Sequence, residues 1–128
     1  MSEALRERLE KVRHQLLALH KALVESERVT YEATVGPISS PNHFLQLLTT
    51  DPWFAWLQPL SLLIVSIDEA MDAKEPLTAE QVNTFIKTTS ALLVPSEAGH
   101  DFARHYFEAM QRDPDVVMAH ADVKKLFA

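Results

Sequence analysis

The sequence has no cysteine and only 2 glycines among its 128 residues. Without cysteine the chain can form no disulfide framework and no thiolate zinc site, and it offers no cysteine nucleophile. The scarcity of glycine, together with the absence of Asn-Gly and Asp-Gly turns, argues against an all-β fold built from hairpins. These absences favour a helical protein.

Basic side chains are also scarce. Lys and Arg number 12 against 18 Asp and Glu, which gives a net charge of −6. Between residues 35 and 86 the only basic residue is Lys74. A surface that binds nucleic acid needs clustered Lys and Arg to neutralise the phosphates. We therefore expect no nucleic-acid partner.

The sequence also lacks a long apolar run. Residues 1–11 are rich in charge, unlike a signal peptide. The most apolar stretch, residues 53–67, is fifteen residues long, which is short of the ~20 that a membrane-spanning helix needs. The chain is therefore predicted to be cytoplasmic, with no membrane partner.

Apolar residues recur along the first segment at alternating spacings of four and three, a pattern typical of a helix packed against a partner. They are Leu5, Leu9, Val12, Leu16, Leu19 and Leu23. A helix over about residues 3–34 would be about 48 Å long, whereas the apolar helix over about 52–72 would span about 30 Å. Unless the first helix breaks near residues 26–30, we expect a second copy to cover the surplus of this leucine seam and form a homodimer.

Helix-start signals divide the rest of the chain. They occur at Ser40–Pro41, Asp51–Pro52, Thr78 with Gln81, Ser96, and Asp113–Pro114. Residues 29–35 alternate in a strand-like period, but a lone strand would have no partner, so we expect helix there. The chain is thus predicted to be a single all-α domain over residues 1–128. We expect four main helices in a bundle, one or two short extra helices and a long N-terminal helix.

Apolar side chains surround nearly the whole circumference of the predicted helix over residues 51–72, so this helix should lie in the middle of the domain. Its sequence, DPWFAWLQPLSLLIVSIDEAMD, resembles that of an uncharacterised family of short bacterial all-helical proteins. The resemblance covers about a sixth of the chain and extends weakly to Gly36, Pro37 and Ile38. It implies a helical fold, and it implies no activity.

Three residues of this helix are candidates for a ligand pocket. Pro59 removes a backbone donor and should kink the helix, which would free the carbonyl of Ala55. Trp53 and Trp56, near that kink, could bind a small molecule, although tryptophan is also a common core residue. Trp53, Trp56 and Pro59 are therefore the candidate ligand-binding residues.

Four carboxylates cluster toward the end of the same helix: Asp68, Glu69, Asp72 and Glu75. A solvated acidic helix end is the simplest interpretation, because the unfavourable charge–dipole energy there is small. The alternative is a patch for a basic protein partner or a hard cation. In the second case, a divalent-metal hydrolase would use Asp68, Glu69 and Asp72.

The six histidines form no metal-binding pattern, since none makes the i,i+4 pair of a helical zinc site or the Glu-x-x-His of a di-iron bundle. We expect His105 to be solvated on a charged face with Asp101 and Glu108. The sequence also has no nucleophile-elbow, phosphate-loop or dinucleotide motif. We predict no metal, no cofactor and no catalytic residue.

Together these observations favour a cytoplasmic, non-enzymatic helical protein. It would self-associate through the leucine seam and offer its acidic surface to a protein partner. The two alternatives are a small-molecule-binding bundle with its pocket near Trp53, Trp56 and Pro59, and the metal-dependent hydrolase at the acidic cluster.

Overall fold

The computed structural model describes residues 2–127, and this part of the chain is all-helical, as predicted. It contains six α-helices and one short 3-10 helix (Pro52–Leu57), which directly precedes α3. The α-helices are α1 (Ser2–Thr34), α2 (Pro41–Thr50), α3 (Gln58–Asp72), α4 (Ala79–Leu92), α5 (Phe102–Arg112) and α6 (Pro114–Lys125).

Four of the predicted helix starts are confirmed by their caps. The side-chain oxygens of Ser40, Asp51, Thr78 and Asp113 accept N–H groups from the first turns of α2, the 3-10 helix, α4 and α6. Gln81 completes the predicted capping box with Thr78. These starts were predictable because capping satisfies N–H groups that have no partner inside the helix.

The predicted helix start at Ser96 is wrong, because α5 begins only at Phe102. Ser96 instead opens a turn, in which its carbonyl accepts the Gly99 N–H at 3.2 Å. Asp101, the residue before α5, has φ 53° and ψ −120°, and its side chain makes no capping hydrogen bond. A non-glycine residue in such a conformation costs about 1–3 kcal/mol, so the chain enters α5 through a strained corner.

The first helix is continuous. α1 extends through residues 26–30 without a break and ends at Thr34, so the preference for helix in the strand-like segment is confirmed. Just beyond it, the Val35 and Gly36 N–H groups both donate to the Tyr31 carbonyl.

The length of α1 is matched by two helices in series. Near the start of α1, the Arg6 guanidinium donates to the Met71 carbonyl at 2.9 Å, and near its end the Tyr31 ring packs against Trp53. The 3-10 helix and α3 therefore run antiparallel to almost the whole of α1. A 3-10 helix rises about 2.0 Å per residue against about 1.5 Å in an α-helix, which lengthens this partner.

The leucine seam of α1 is buried within the chain itself, where α1 packs mainly against α3 and α6. Five of its six members are at most 2% exposed: Leu9, Val12, Leu16, Leu19 and Leu23. Leu5 is half-buried. The seam therefore has no free apolar face for a second copy, which corrects the role expected for these residues. The homodimer stays a prediction and would need another surface.

The stretch Pro52–Asp72 has the length and mean hydropathy, 1.2, of a membrane-spanning helix. The core helix of a soluble protein has the same properties, and α3 contributes five buried side chains: Leu60, Leu63, Ile64, Ile67 and Met71. The hydropathy is thus weak evidence for a membrane span, and the absence of a membrane partner stays a prediction.

Candidate functional site

A groove opens where the end of α2 and the 3-10 helix meet α1 and the first turns of α3; we call it the α2 groove. Its volume of about 580 Å³ falls within the range of small-molecule sites. Its apolar wall consists of Leu48, Phe54, Leu57, Leu62 and Val65. The groove therefore has the size and the lining to accept an apolar group.

His20 and Ser61 form a polar pair in the α2 groove. His20 Nε2, from α1, lies 2.9 Å from Ser61 Oγ, from α3. Burial lowers the pKa of His20, because it removes the water that would stabilise the charged imidazolium. The Ser61 hydroxyl also donates to the Leu57 carbonyl at 3.4 Å.

The His20–Ser61 pair does not complete a hydrolase triad. In a serine hydrolase a carboxylate orients the imidazole that activates the serine. Within residues 2–127 no carboxylate is hydrogen-bonded to His20. The pair is therefore equipped to hold a polar group of a ligand rather than to activate a nucleophile.

A second groove of about 490 Å³ shares Pro52, Ala55, Gln58 and Leu62 with the first and extends to the start of α5. We call it the α5 groove. Its other lining residues are Trp56, Pro59, Asp101, Phe102 and His105. Two of the three candidate ligand residues, Trp56 and Pro59, thus lie together beside a groove.

Aromatic rings form one side of the α5 groove. The centroid of the Trp56 ring lies 5.4 Å from that of Phe102, and the His105 ring stands edge-on to Trp56 at 5.3 Å. His105 is therefore half-buried against an indole instead of fully solvated as expected. Phe102 is buried and Trp56 is half-buried, so Trp56 offers the larger exposed ring surface.

Trp53 lines neither groove and belongs instead to a buried polar cluster. Its indole N–H donates to Glu27 Oε2 at 2.8 Å. Arg112 donates to Glu27 Oε1 at 2.6 Å and to Ser26 Oγ at 3.0 Å. Both carboxylate oxygens of the buried Glu27 thus have a donor. The structure separates Trp53 from Trp56 and Pro59, and gives it a role in packing.

Sequence reasoning missed this polar cluster, although one signal was available. Ser26 and Glu27 are three and four residues beyond Leu23, so they continue the face of the helix that carries the leucine seam. Polar residues on the buried face of a helix need partners. Nothing in the spacing of the sequence, however, indicates that the partners are Trp53 and Arg112.

Pro59 does not interrupt the hydrogen bonds of α3. It lies in the first turn of α3, directly after the 3-10 helix, where the missing N–H would have no partner inside the helix. The Ala55 carbonyl accepts the Gln58 N–H. The carbonyl that the kink was expected to free is therefore occupied.

The acidic residues near the end of α3 do not form a metal centre. Asp68 forms an ion pair with Arg13, with Asp68 Oδ1 and Arg13 Nε 2.5 Å apart. Glu69, Asp72 and Glu75 are exposed. Among the described residues, no group of three or more His, Asp or Glu side chains is placed to hold a metal ion. The metal-dependent hydrolase alternative has no support here.

A further histidine lies in a buried contact between α5 and α6. Tyr106 Oη and His120 Nδ1 are hydrogen-bonded, with the two atoms 2.6 Å apart. Burial, together with the charge of Lys124, lowers the pKa of His120, and burial raises that of Tyr106. Burial at this contact therefore favours the neutral form of both side chains.

In comparisons with known proteins, no family model matches the chain, and no curated protein or solved structure is significantly similar to it. The resemblance of residues 51–72 to a family of short bacterial helical proteins stays a prediction. Function must therefore be argued from the two grooves.

Proposed function

We propose that this chain is a non-catalytic binding protein that holds the apolar part of a small molecule in the α2 groove. The observation that carries the proposal is an open groove of about 580 Å³ with a mainly apolar wall. A groove of this kind with a few convergent polar groups is the usual form of a ligand site.

The exposed side chains of the groove support this assignment. Leu62 and Val65 are 56% and 48% exposed, and a ligand that covered them would gain about 25 cal/mol for each Å² of apolar surface removed from water. The His20–Ser61 pair, at the same wall, would orient a hydroxyl or carbonyl group of that ligand. The groove would thus select an amphiphilic molecule with a short apolar part.

Two predictions from the sequence, the helix arrangement and the cellular location, are part of this proposal. We propose a bundle of four main helices as the scaffold and the cytoplasm as the location. No catalytic residue, cofactor or nucleic acid takes part in the proposed function.

A second candidate is the interaction role predicted from the sequence. Exposed apolar side chains on α1 and α3, Leu17 and Val65, favour it, since such side chains can be covered by a protein partner. The exposed acidic residues at the end of α3 would contact a basic part of that partner. Size-exclusion chromatography with light scattering tests the homodimer, and a particle of 14.5 kDa at micromolar concentration would contradict it.

Binding in the α2 groove can be tested with 1-octanol, a neutral ligand with an apolar chain and one hydroxyl. We expect saturable chemical-shift changes in ¹⁵N-labelled protein for the backbone amides of Leu57, Ser61 and Val65. The variant Val65→Trp fills the groove and should weaken binding by about fivefold or more, equivalent to about 1 kcal/mol.

A matched control is Val117→Trp, which changes an equally exposed valine on α6 outside the groove. This variant should bind octanol like the unmodified protein. The proposal fails if octanol causes no saturable shifts, or if the two tryptophan variants weaken binding equally.

A further inference from the structure

The α5 groove has a charge of one sign. Asp101 supplies a carboxylate, and no Lys or Arg is among the described residues that line the groove. The whole chain carries a net charge of −6, which favours cations over anions as partners at long range.

The Asp101 carboxylate is not engaged elsewhere. It does not cap α5, and within residues 2–127 it forms neither a hydrogen bond nor an ion pair with another side chain. Asp101 is exposed, and it lines the same groove as Trp56. A cation in the groove would therefore find an acceptor without displacing a protein partner.

The Trp56 ring supplies the second element of a cation site. An indole attracts a cation over its face more strongly than the rings of Tyr or Phe do. Trp56 is half-buried and held by contacts with Phe102 and His105. The ring is thus fixed beside the groove before any ligand arrives.

The surrounding groups favour an organic cation over a metal ion. One carboxylate does not provide the several oxygen ligands that Mg²⁺ or Ca²⁺ needs. Among the described residues that line the groove, no three His, Asp or Glu side chains are placed to hold a metal ion. Ala55, Pro59 and Leu62 instead present apolar surface that suits the methyl or methylene groups of an alkylammonium ion.

We infer that the α5 groove is a binding site for an organic ammonium ion, which Asp101 holds by charge and Trp56 by its ring. The inference goes beyond the proposed function, because it concerns a different groove and requires no ligand in the α2 groove. The two grooves share Pro52, Ala55, Gln58 and Leu62, so occupation of one can alter the other.

Choline and its neutral isostere 3,3-dimethyl-1-butanol are suitable probes, since they differ mainly in the charge of the head group. In a ¹H–¹⁵N spectrum with choline, we expect the indole N–H signal of Trp56 to shift in a saturable way, while that of Trp53 stays in place. The neutral isostere should bind about fivefold more weakly than choline.

Three variants complete the test. Asp101→Asn and Trp56→Leu should each weaken choline binding by about twofold to fivefold, whereas Asp122→Asn, at an exposed site on α6, should not. Thermal unfolding monitored by circular dichroism verifies that each variant is folded. Asp101→Gly serves as a second charge-removing variant if Asp101→Asn is unfolded.

The inference is overturned if choline does not shift the Trp56 signal, or if the neutral isostere binds as tightly. It is also overturned if Asp122→Asn weakens binding as much as Asp101→Asn, because the attraction would then be unspecific. Octanol binding and its loss in Val65→Trp are measured separately, so failure of one groove is distinguishable from failure of the other.

Discussion

Trp53 and Trp56 are three residues apart on the same 3-10 helix, where residues at this spacing are eclipsed and about 6 Å apart along the axis. Their surroundings nevertheless differ. Trp53 donates to the buried Glu27 and packs edge-on against Tyr31. Trp56 borders the α5 groove, and its indole N–H has no acceptor within residues 2–127.

The difference follows from which end of α5 each tryptophan approaches. At the C-terminal end of α5, the Arg112 guanidinium donates to Glu27 and completes the polar cluster around Trp53. At the other end, the strained corner at Asp101 leaves a groove beside Trp56. Two identical side chains on one short helix therefore serve different purposes, one in stability and one in the proposed binding.

The strongest way to break the Trp53 side of this comparison is Glu27→Ala. The substitution removes the acceptor of both the Trp53 indole and the Arg112 guanidinium, and it leaves a small cavity. We expect a loss of about 3 kcal/mol in the free energy of unfolding, or about 10 °C in the melting temperature. Urea unfolding measures it.

The control for Glu27→Ala is Glu25→Ala, two residues away on the same helix. Glu25 is exposed and pairs with Arg28 on the surface, and such pairs contribute about 0–1 kcal/mol. Equal losses in the two variants would mean that the buried cluster contributes no more than a surface ion pair.

A smaller effect is expected when the two tryptophans are changed alike. Trp53→Phe removes the N–H that donates to a buried carboxylate, and should cost about 2 kcal/mol. Trp56→Phe removes an N–H without a protein acceptor, and should cost roughly 0.5 kcal/mol or less. Denaturant unfolding of both variants decides the matter, and a larger loss for Trp56→Phe would reverse the comparison.

Much of the fold was predictable because it depends on local chemistry. The caps at Ser40, Asp51, Thr78 and Asp113 act on the N–H groups of the turn that follows them, so they can be recognised from a few adjacent residues. The periodicity of α1 predicted its helix as far as Leu23, whereas helix over residues 29–35 was preferred only because a lone strand would have no partner. The predicted helix start at Ser96 was wrong because a capping residue allows a helix to begin but does not force it to. Here a turn separates Ser96 from the start of α5.

The site was less predictable, because its parts come from distant segments. Trp56 and Pro59 were expected near a pocket, and both line the α5 groove. Trp53 was expected with them, but its partners Glu27 and Arg112 are far away in the sequence. The sequence also has no pattern that distinguishes the 3-10 helix from the start of an α-helix, so the positions of the side chains around it could not be derived.

The Trp56 side of the comparison is sharpened by Asp101→Gly. Glycine adopts positive φ without strain, so we expect the free energy of unfolding to stay the same or to rise by about 1 kcal/mol, even though the helix loses an N-terminal acidic group. The same variant should weaken choline binding as much as Asp101→Asn does. Thermal unfolding and choline titration of this variant measure the two effects. A clear loss of stability would contradict the claim that the backbone at Asp101 is strained.

The smallest expected effect is a dependence of stability on pH, which arises from histidines in closed contacts and not from those on the surface. Burial lowers the folded-state pKa of His20 and His120 below the ordinary value of 6.5. Between those lowered values and 6.5, the unfolded chain therefore binds more protons than the folded chain. The free energy of unfolding should fall as the pH drops from 7 to 5, because protons bind to these imidazoles more readily in the unfolded chain than in the folded one. Urea unfolding at several pH values should show a flatter dependence in His20→Gln and His120→Gln than in the control His14→Gln, which changes an exposed histidine. An equal slope in all three variants would show that the buried imidazoles do not cause the effect.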